Sequence, residues 1–136
     1  PEMISRLVEE VLRISSPSSN MFRRTTRDVE MHGVTIPENS ILFARFASAN
    51  HDDTQFPEAA TFNLMRDNLK DQVAFGKGVH HCLGAALSRR EMNIGFKVIL
   101  ERMENFRLAE GASEPEFSAN ALLHGMTGLD IAFDKK

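Results

Sequence analysis

Ten residues, Phe75-Gly76-Lys77-Gly78-Val79-His80-His81-Cys82-Leu83-Gly84, hold the only cysteine of the chain and two of its five histidines. The segment is not a dinucleotide fingerprint, because His81 stands where a third glycine would be needed. It is not a phosphate-cradling Walker loop either, since no Gly-Lys-Ser/Thr is present. Zinc is disfavoured: His80, His81 and Cys82 are consecutive and lack the spaced ligand pairs that fold around that ion. A lone cysteine is most often an inert buried residue, yet these surroundings also suit a thiolate ligand. Two glycines precede Cys82, so the backbone can turn tightly and approach a flat ligand. A helix is expected to start at the cysteine, where free N–H groups and the positive dipole end favour a thiolate. The Leu83 and Gly84 amides stand next to the sulfur, and hydrogen bonds of that kind tune the basicity and potential of an iron ligand.

Several elements must position this loop. Ile4, Leu7, Val8, Val11 and Leu12 recur at helical spacing, which predicts an amphipathic helix over residues 3–14. Ser15-Ser16-Pro17 ends it. Residues 18–46 read as short strands and turns: Val29–Met31 and Val34–Ile36 flank a His32-Gly33 hairpin turn, Pro37-Glu38-Asn39-Ser40 is a second turn, and Ile41–Phe46 is an apolar strand. A short helix is expected within residues 47–55. Residues 56–81 follow neither period and contain Pro57, Gly76 and Gly78, a long loop that its apolar side chains argue is ordered. A second main helix is expected near residues 83–103. Leu83, Leu87, Ile94 and Val98 line one face and Phe96, Leu100 and Met103 widen it, a stripe broad enough for a largely buried helix. Gly95 within it predicts a close packing approach. Leu122-Leu123 and Leu129–Phe133 suggest a terminal hairpin.

Composition sets outer bounds. The 136 residues are 42% apolar and 26% charged with a formal charge of -3, an ordinary globular balance with no basic field for nucleic acid. No apolar run approaches the roughly 20 residues of a membrane-spanning helix, and no basic-then-apolar leader is visible. A single cysteine suits a reducing, cytoplasmic setting. Pro1 leads almost at once into a helical pattern, which reads either as a chain cut from something larger or as a short protein that begins with a helix.

The cysteine segment resembles the signature of the cytochrome P450 (haem-thiolate) family, F-x-x-G-x-(R/H)-x-C-x-G, at Phe75, Gly78, His80, Cys82 and Gly84, and Ala85 to Glu91 resemble the helix that follows it. Two further segments occur in the family's order. Glu10-Val11-Leu12-Arg13 resembles E-x-x-R, although Glu9 is equally placed to pair with Arg13. Phe56 to Arg66 resembles the stretch whose arginine completes a Glu-Arg-Arg network.

The resemblance implies a mixed α+β piece of the mainly helical cytochrome P450 fold: two main helices, short antiparallel hairpins and a long cysteine-ligand loop. Residues 1–136 would be the C-terminal haem-binding portion, without the upstream part that carries the distal oxygen-activating helix. By the same resemblance Cys82 ligates haem iron, with Arg23, Phe75, Gly76, His80 and Gly84 around the cofactor; Arg24 and Arg27 are rivals of Arg23. Glu10, Arg13 and Arg66 form the structural network. Ser19, Asn20, Met21, Leu122 and Leu123 are substrate-contact candidates. Lys77, Arg89 and Arg90 form either a proximal patch for a ferredoxin- or flavodoxin-type electron donor or a set of solvated charges. The complete protein would insert one atom of O2 into an apolar organic substrate. The alternatives are a non-catalytic module that folds or self-associates without productive haem chemistry, and a haem-binding electron carrier.

Overall fold

The computed structural model describes residues 2–136. The elements run α1 (Glu2–Ser15), β1 (Asn20–Arg24), β2 (Val29–Met31), β3 (Val34–Ile36), β4 (Ile41–Arg45), α2 (Phe46–Asn50), a long loop with two single 3-10 turns, α3 (Ala85–Arg102), β5 (Met103–Leu108) and β6 (Ile131–Lys135). The strands form three separate two-stranded antiparallel sheets, β1–β4, β2–β3 and β5–β6. The mixture of helices and small antiparallel sheets is as expected.

Helix α1 buries Val8 and Leu12 on one face and the ionic pair Glu10 and Arg13 on another. It stops at Ser16, which adopts φ +36° while its Oγ donates to Arg13 O at 2.9 Å. The β2–β3 hairpin turns through His32 and Gly33 at φ +49° and +77°, the paired positive values of a tight two-residue turn. It is carried between β1 and β4, whose register runs from Asn20 opposite Arg45 to Arg24 opposite Ile41. Phe46 belongs to α2, so the strand ends one residue earlier than its apolar run suggests.

The second main helix departs from expectation in three ways. It begins at Ala85, with Gly84 as its N-cap, and ends at Arg102. Met103 takes φ -137° and ψ 147° and opens β5, because the chain there finds β6 as a partner. Its inward face is also a different one. Ala85, Arg89, Met92 and Phe96, at i, i+4, i+7 and i+11, face the body of the protein. Ala85 is buried, Met92 and Phe96 pack against the Val8, Leu12 and Ala74 core, and Arg89 reaches Glu9 on α1. Leu83, Leu87, Ile94 and Val98 lie exposed. Gly95 sits in the same open region, and a Cβ there would meet nothing within 4 Å, so it permits no close approach. Leu122-Leu123 is likewise not a hairpin strand: Leu123 forms an isolated bridge with Ser18, while Ile131–Lys135 pairs with Met103–Leu108.

The apolar core is small. Only Val8, Leu12, Phe56, Ala59, Leu69, Ala74 and Ala85 are buried hydrophobics among the described residues. The accessible surface of 10124 Å² for 15.3 kDa exceeds the about 7,100 Å² of a compact monomer of that mass. Polar links supply much of what orders the long loop. Asn50, fully buried, donates from Nδ2 to Ser16 Oγ at 2.8 Å and accepts Val73 N–H at Oδ1 at 2.8 Å.

Candidate functional site

Two adjacent glutamates on α1 organise the region. Glu10 accepts Arg13 Nε and Nη2 at 2.8 and 2.9 Å, Asn63 N–H at 2.8 Å and Arg66 Nε at 3.3 Å. Arg13 Nη1 then donates to Asn50 O and Ala59 O, at 2.7 and 2.8 Å, and its guanidinium lies 5.3 Å from the Phe56 ring centroid. Arg66 donates to the Pro57, Glu58 and Thr61 carbonyls. Burial by itself would raise the Glu10 carboxyl, but the bonds from Arg13, Asn63 and Arg66 and the Arg13 charge outweigh it and hold it below its ordinary value. Such forks clamp a carboxylate in one plane, and here they tie residues 57–66 to α1. Glu10, Arg13 and Arg66 thus meet as one network, and Glu9 does not compete for Arg13.

Glu9 points elsewhere. Its carboxylate accepts Arg89 Nε at 2.6 Å and Nη2 at 3.2 Å, and Gln72 Nε2 at 2.9 Å. Gln72 Oε1 in turn accepts Ala74 N–H at 2.6 Å. The Arg89 guanidinium lies 4.7 Å from the Phe75 ring centroid. Sequence reasoning assigned no role to Gln72 or Asn50 and placed Arg89 in a surface patch; no periodicity marks a polar residue that is buried by a partner far along the chain.

The cysteine loop is closed by its own backbone. Cys82 N–H donates to Phe75 O at 2.9 Å, and His81 N–H to Gly78 O at 3.0 Å. Gly76 and Gly78 take φ +69° and +78°, left-handed conformations that cost a side chain-bearing residue about 1–2 kcal/mol. Cys82 is a free, exposed thiol.

One open cavity of about 320 Å³ gathers Arg23, Phe75, Gly76, His80 and Cys82 with Leu12, Pro17, Ser18, Met21, Phe46 and Ala74. Five of the six expected cofactor residues therefore share one wall. The sixth, Gly84, lies beside the sulfur rather than on that wall: a Cβ there would sit 3.9 Å from Cys82 Sγ. Of the substrate-contact candidates, Met21 lines the cavity. Ser19 and Asn20 N–H groups donate to Leu122 O at 2.9 and 3.4 Å, which brings the two candidate segments side by side at its edge.

These residues fit an iron porphyrin. No group of three or more His, Cys, Asp or Glu among the described residues could hold a bare metal ion. A single sulfur suits an iron whose other ligands come with a macrocycle. The apolar, glycine-floored wall suits the flat face of such a ring. Arg23 and His80 line the same cavity with side chains able to donate hydrogen bonds to an anionic group.

A cytochrome P450 family model matches residues 2–128. Cytochrome P450 107B1 of Saccharopolyspora erythraea is 33% identical over 132 residues, covering 96% of this chain and 32% of that protein. The polyketide biosynthesis cytochrome P450 PksS of Bacillus subtilis is 35% identical over 136 residues, covering 99% of this chain and 33% of that protein. The substrate-free structure of Mycobacterium marinum CYP150A6 superimposes with a TM-score of 0.93 at 29% identity, over 98% of this chain and 34% of the other. The chain thus spans about a third of the length of the curated relatives it matches. The family model over residues 2–128, the cytochrome P450 relatives and the shared fold together make the chain a member of the cytochrome P450 family.

Proposed function

We propose that this chain is the C-terminal, haem-binding portion of a monooxygenase, in which the Cys82 thiolate would hold the iron. The observation that carries the reading is the single cavity lined by Cys82, Phe75, Gly76, His80 and Arg23. Haem, when bound, supplies the activation of O2 from which one oxygen atom enters an organic substrate. The chain's own residues hold and orient it. Cys82 would hold the iron through its sulfur, as a thiolate. Gly76 and Gly78 let the loop turn in under a flat ring. Arg23 and His80 offer hydrogen bonds to carboxylates, and Phe75 shields the sulfur. Gly84, as the α3 N-cap, keeps the space beside the sulfur clear. The Glu10-Arg13-Arg66 network acts at a distance, fixing the long loop from which the cysteine segment emerges.

Ser19, Asn20, Met21, Leu122 and Leu123 contact the substrate in this reading, and the apolar character of Met21, Leu122 and Leu123 suits an apolar one. Lys77 and Arg90 are exposed and form the core of a docking patch for an acidic electron donor of ferredoxin or flavodoxin type. Arg89 does not belong to that patch, because Glu9 and Phe75 already engage it. No helix among the described residues is long and apolar enough to cross a membrane, and with the single free cysteine this fits a cytoplasmic enzyme. In this reading the complete protein carries its distal, oxygen-activating side outside these residues.

The surface excess of the chain favours a second reading for the chain taken alone: a non-catalytic module that self-associates. The visible spectrum of the chain with haem, reduced under CO, separates the two. A strongly red-shifted Soret band that disappears in Cys82→Ala is the expected result. A histidine-type or free-haem spectrum would overturn the ligand assignment for the isolated chain and leave the module reading.

A further inference from the structure

The Cys82 ligand needs a way to set how strongly its sulfur pushes electrons to iron, and the side of Phe75 facing α3 holds an unassigned ion pair. Arg89 is one of the four inward positions of α3. Its guanidinium lies 4.7 Å from the Phe75 ring centroid and forms a forked pair with Glu9 at 2.6 and 3.2 Å. The pair is only partly solvated, with 33% of the Arg89 and 17% of the Glu9 side chain exposed, so water screens it incompletely. Both partners are held in place. Gln72 donates to Glu9 at 2.9 Å and ties it through Ala74 N–H to the loop that leads into Phe75. Asn93 Nδ2 donates to Arg89 O at 2.8 Å, and Ser5 Oγ donates to Asn93 Oδ1 at 2.8 Å, joining α3 to α1. Phe75 itself lines the cavity with Cys82 and accepts the Cys82 N–H at its carbonyl.

We infer that Arg89 and Glu9 are positioning residues that tune the Cys82 iron ligand: a cation against the Phe75 ring, its field offset by the glutamate paired with it. The inference rests on the reading of Cys82 as the haem ligand. A positive charge near the thiolate stabilises its negative charge, weakens its push and raises the potential of the one-electron Fe(III)/Fe(II) couple; net charge near the centre is one of the protein's levers on that potential. Glu9 offsets the charge. The two partners of one salt bridge therefore have opposite effects on the iron, although losing either weakens the same structural link.

The test uses the complete haem-loaded protein that contains this chain, with potentials read by spectroelectrochemical titration and stability by thermal melting. Arg89→Gln removes the cation and is expected to lower the potential. Glu9→Gln keeps groups able to hydrogen-bond Arg89 and Gln72, leaves the cation uncompensated and is expected to raise it. Melting temperature should fall in both. Arg89→Lys retains the charge and should stay closer to wild type in potential than Arg89→Gln. If Arg89→Gln does not load haem, a raised potential in Glu9→Gln beside a near-wild-type potential in Arg89→Lys carries the comparison. Shifts of the same sign for the two neutralising variants, or unchanged potentials with lowered melting temperatures, would reduce the pair to a structural bridge and overturn the inference. A wild-type protein without the thiolate-type CO spectrum would instead overturn the reading of Cys82 beneath it.

Discussion

Glu10 and Arg13 stand three residues apart on α1 and meet through two hydrogen bonds of 2.8 and 2.9 Å, with both side chains fully excluded from solvent. At most such spacings a Glu–Arg pair lies on a helix surface and contributes a few tenths of a kcal/mol. Here the pair is buried, and the remaining Arg13 donors are spent on the Asn50, Ala59 and Thr61 carbonyls. Removing one partner leaves an uncompensated charge in the interior. Arg13→Ala and Glu10→Gln are therefore expected to destabilise the fold by about 3–5 kcal/mol. Arg66→Ala is expected to cost less, because its 3.3 Å contact with Glu10 is longer and its side chain is 5% exposed. Denaturant titration of the three variants checks the order; a surface-like loss of a few tenths of a kcal/mol in Arg13→Ala would contradict it.

The same network predicts a pH dependence. Against the opposing effect of burial, the bonds from Arg13, Asn63 and Arg66 hold the Glu10 carboxyl below its ordinary value in the folded protein. As pH falls through that ordinary, unfolded value, the unfolded chain takes up a proton that folded Glu10 does not. Stability then falls with decreasing pH. The contribution is complete above the unfolded pKa and is lost as pH drops through the folded one. Melting temperatures followed downward from neutral pH should decline on entering the acid range, and the acid-sensitive part should shrink in Glu10→Gln. An identical acid profile in that variant would assign the loss to other carboxylates.

The cysteine loop and the Glu10–Arg13 spacing were legible because their residues sit close together in sequence and carry distinctive types; Arg66 entered only through the family resemblance of residues 56–66. Phe75, Gly78, His80, Cys82 and Gly84 fall within ten residues, and Glu10 and Arg13 within four. The hairpin at His32-Gly33 was legible for the same local reason. The orientation of α3 was not. Leu87, Ile94 and Val98 of its expected apolar stripe face outward, as does Leu83 before it, while an arginine occupies the inward face. Periodicity ranks faces by hydropathy, and Arg89 is acceptable inside only because Glu9, eighty residues earlier, neutralises it. The pairing of β6 with β5 was hidden in the same way, since 22 residues separate Leu108 from Ile131 and no two-residue turn announces the hairpin.

Arg23 and His80 line the Cys82 cavity from different elements, β1 and the turn before the cysteine. If both donate to the carboxylates of a bound haem, each charge-assisted bond is worth about 1.5–3 kcal/mol. Arg23→Leu and His80→Leu are therefore expected to weaken haem affinity about tenfold to hundredfold each, while the thiolate-type CO spectrum persists because the sulfur is untouched. Competition for haem with an acceptor protein reads the affinity. Unchanged affinity in Arg23→Leu would shift attention to its rivals Arg24 and Arg27.

The outward stripe of α3 makes a prediction about the chain studied by itself. Leu87 is 62% exposed and Ile94 53%, and the total accessible surface of 10124 Å² stands roughly 3,000 Å² above that of a compact monomer. Contiguous apolar patches of more than a few hundred Å² mark surfaces that another chain covers. In the complete protein the remaining two-thirds supplies the cover in our reading; in the isolated chain a second copy is the nearest substitute. Sedimentation velocity is expected to show concentration-dependent association of the isolated chain. The double variant Leu87→Gln, Ile94→Gln should reduce that association without changing the far-ultraviolet circular dichroism, because neither side chain belongs to the Val8, Leu12 and Ala74 core. Persistent association of the double variant would move the sticky surface to the exposed Phe22–Phe43 pair on β1 and β4, whose rings lie 4.9 Å apart. A monomeric wild-type chain at all concentrations would show that the exposed stripe is tolerated by water alone.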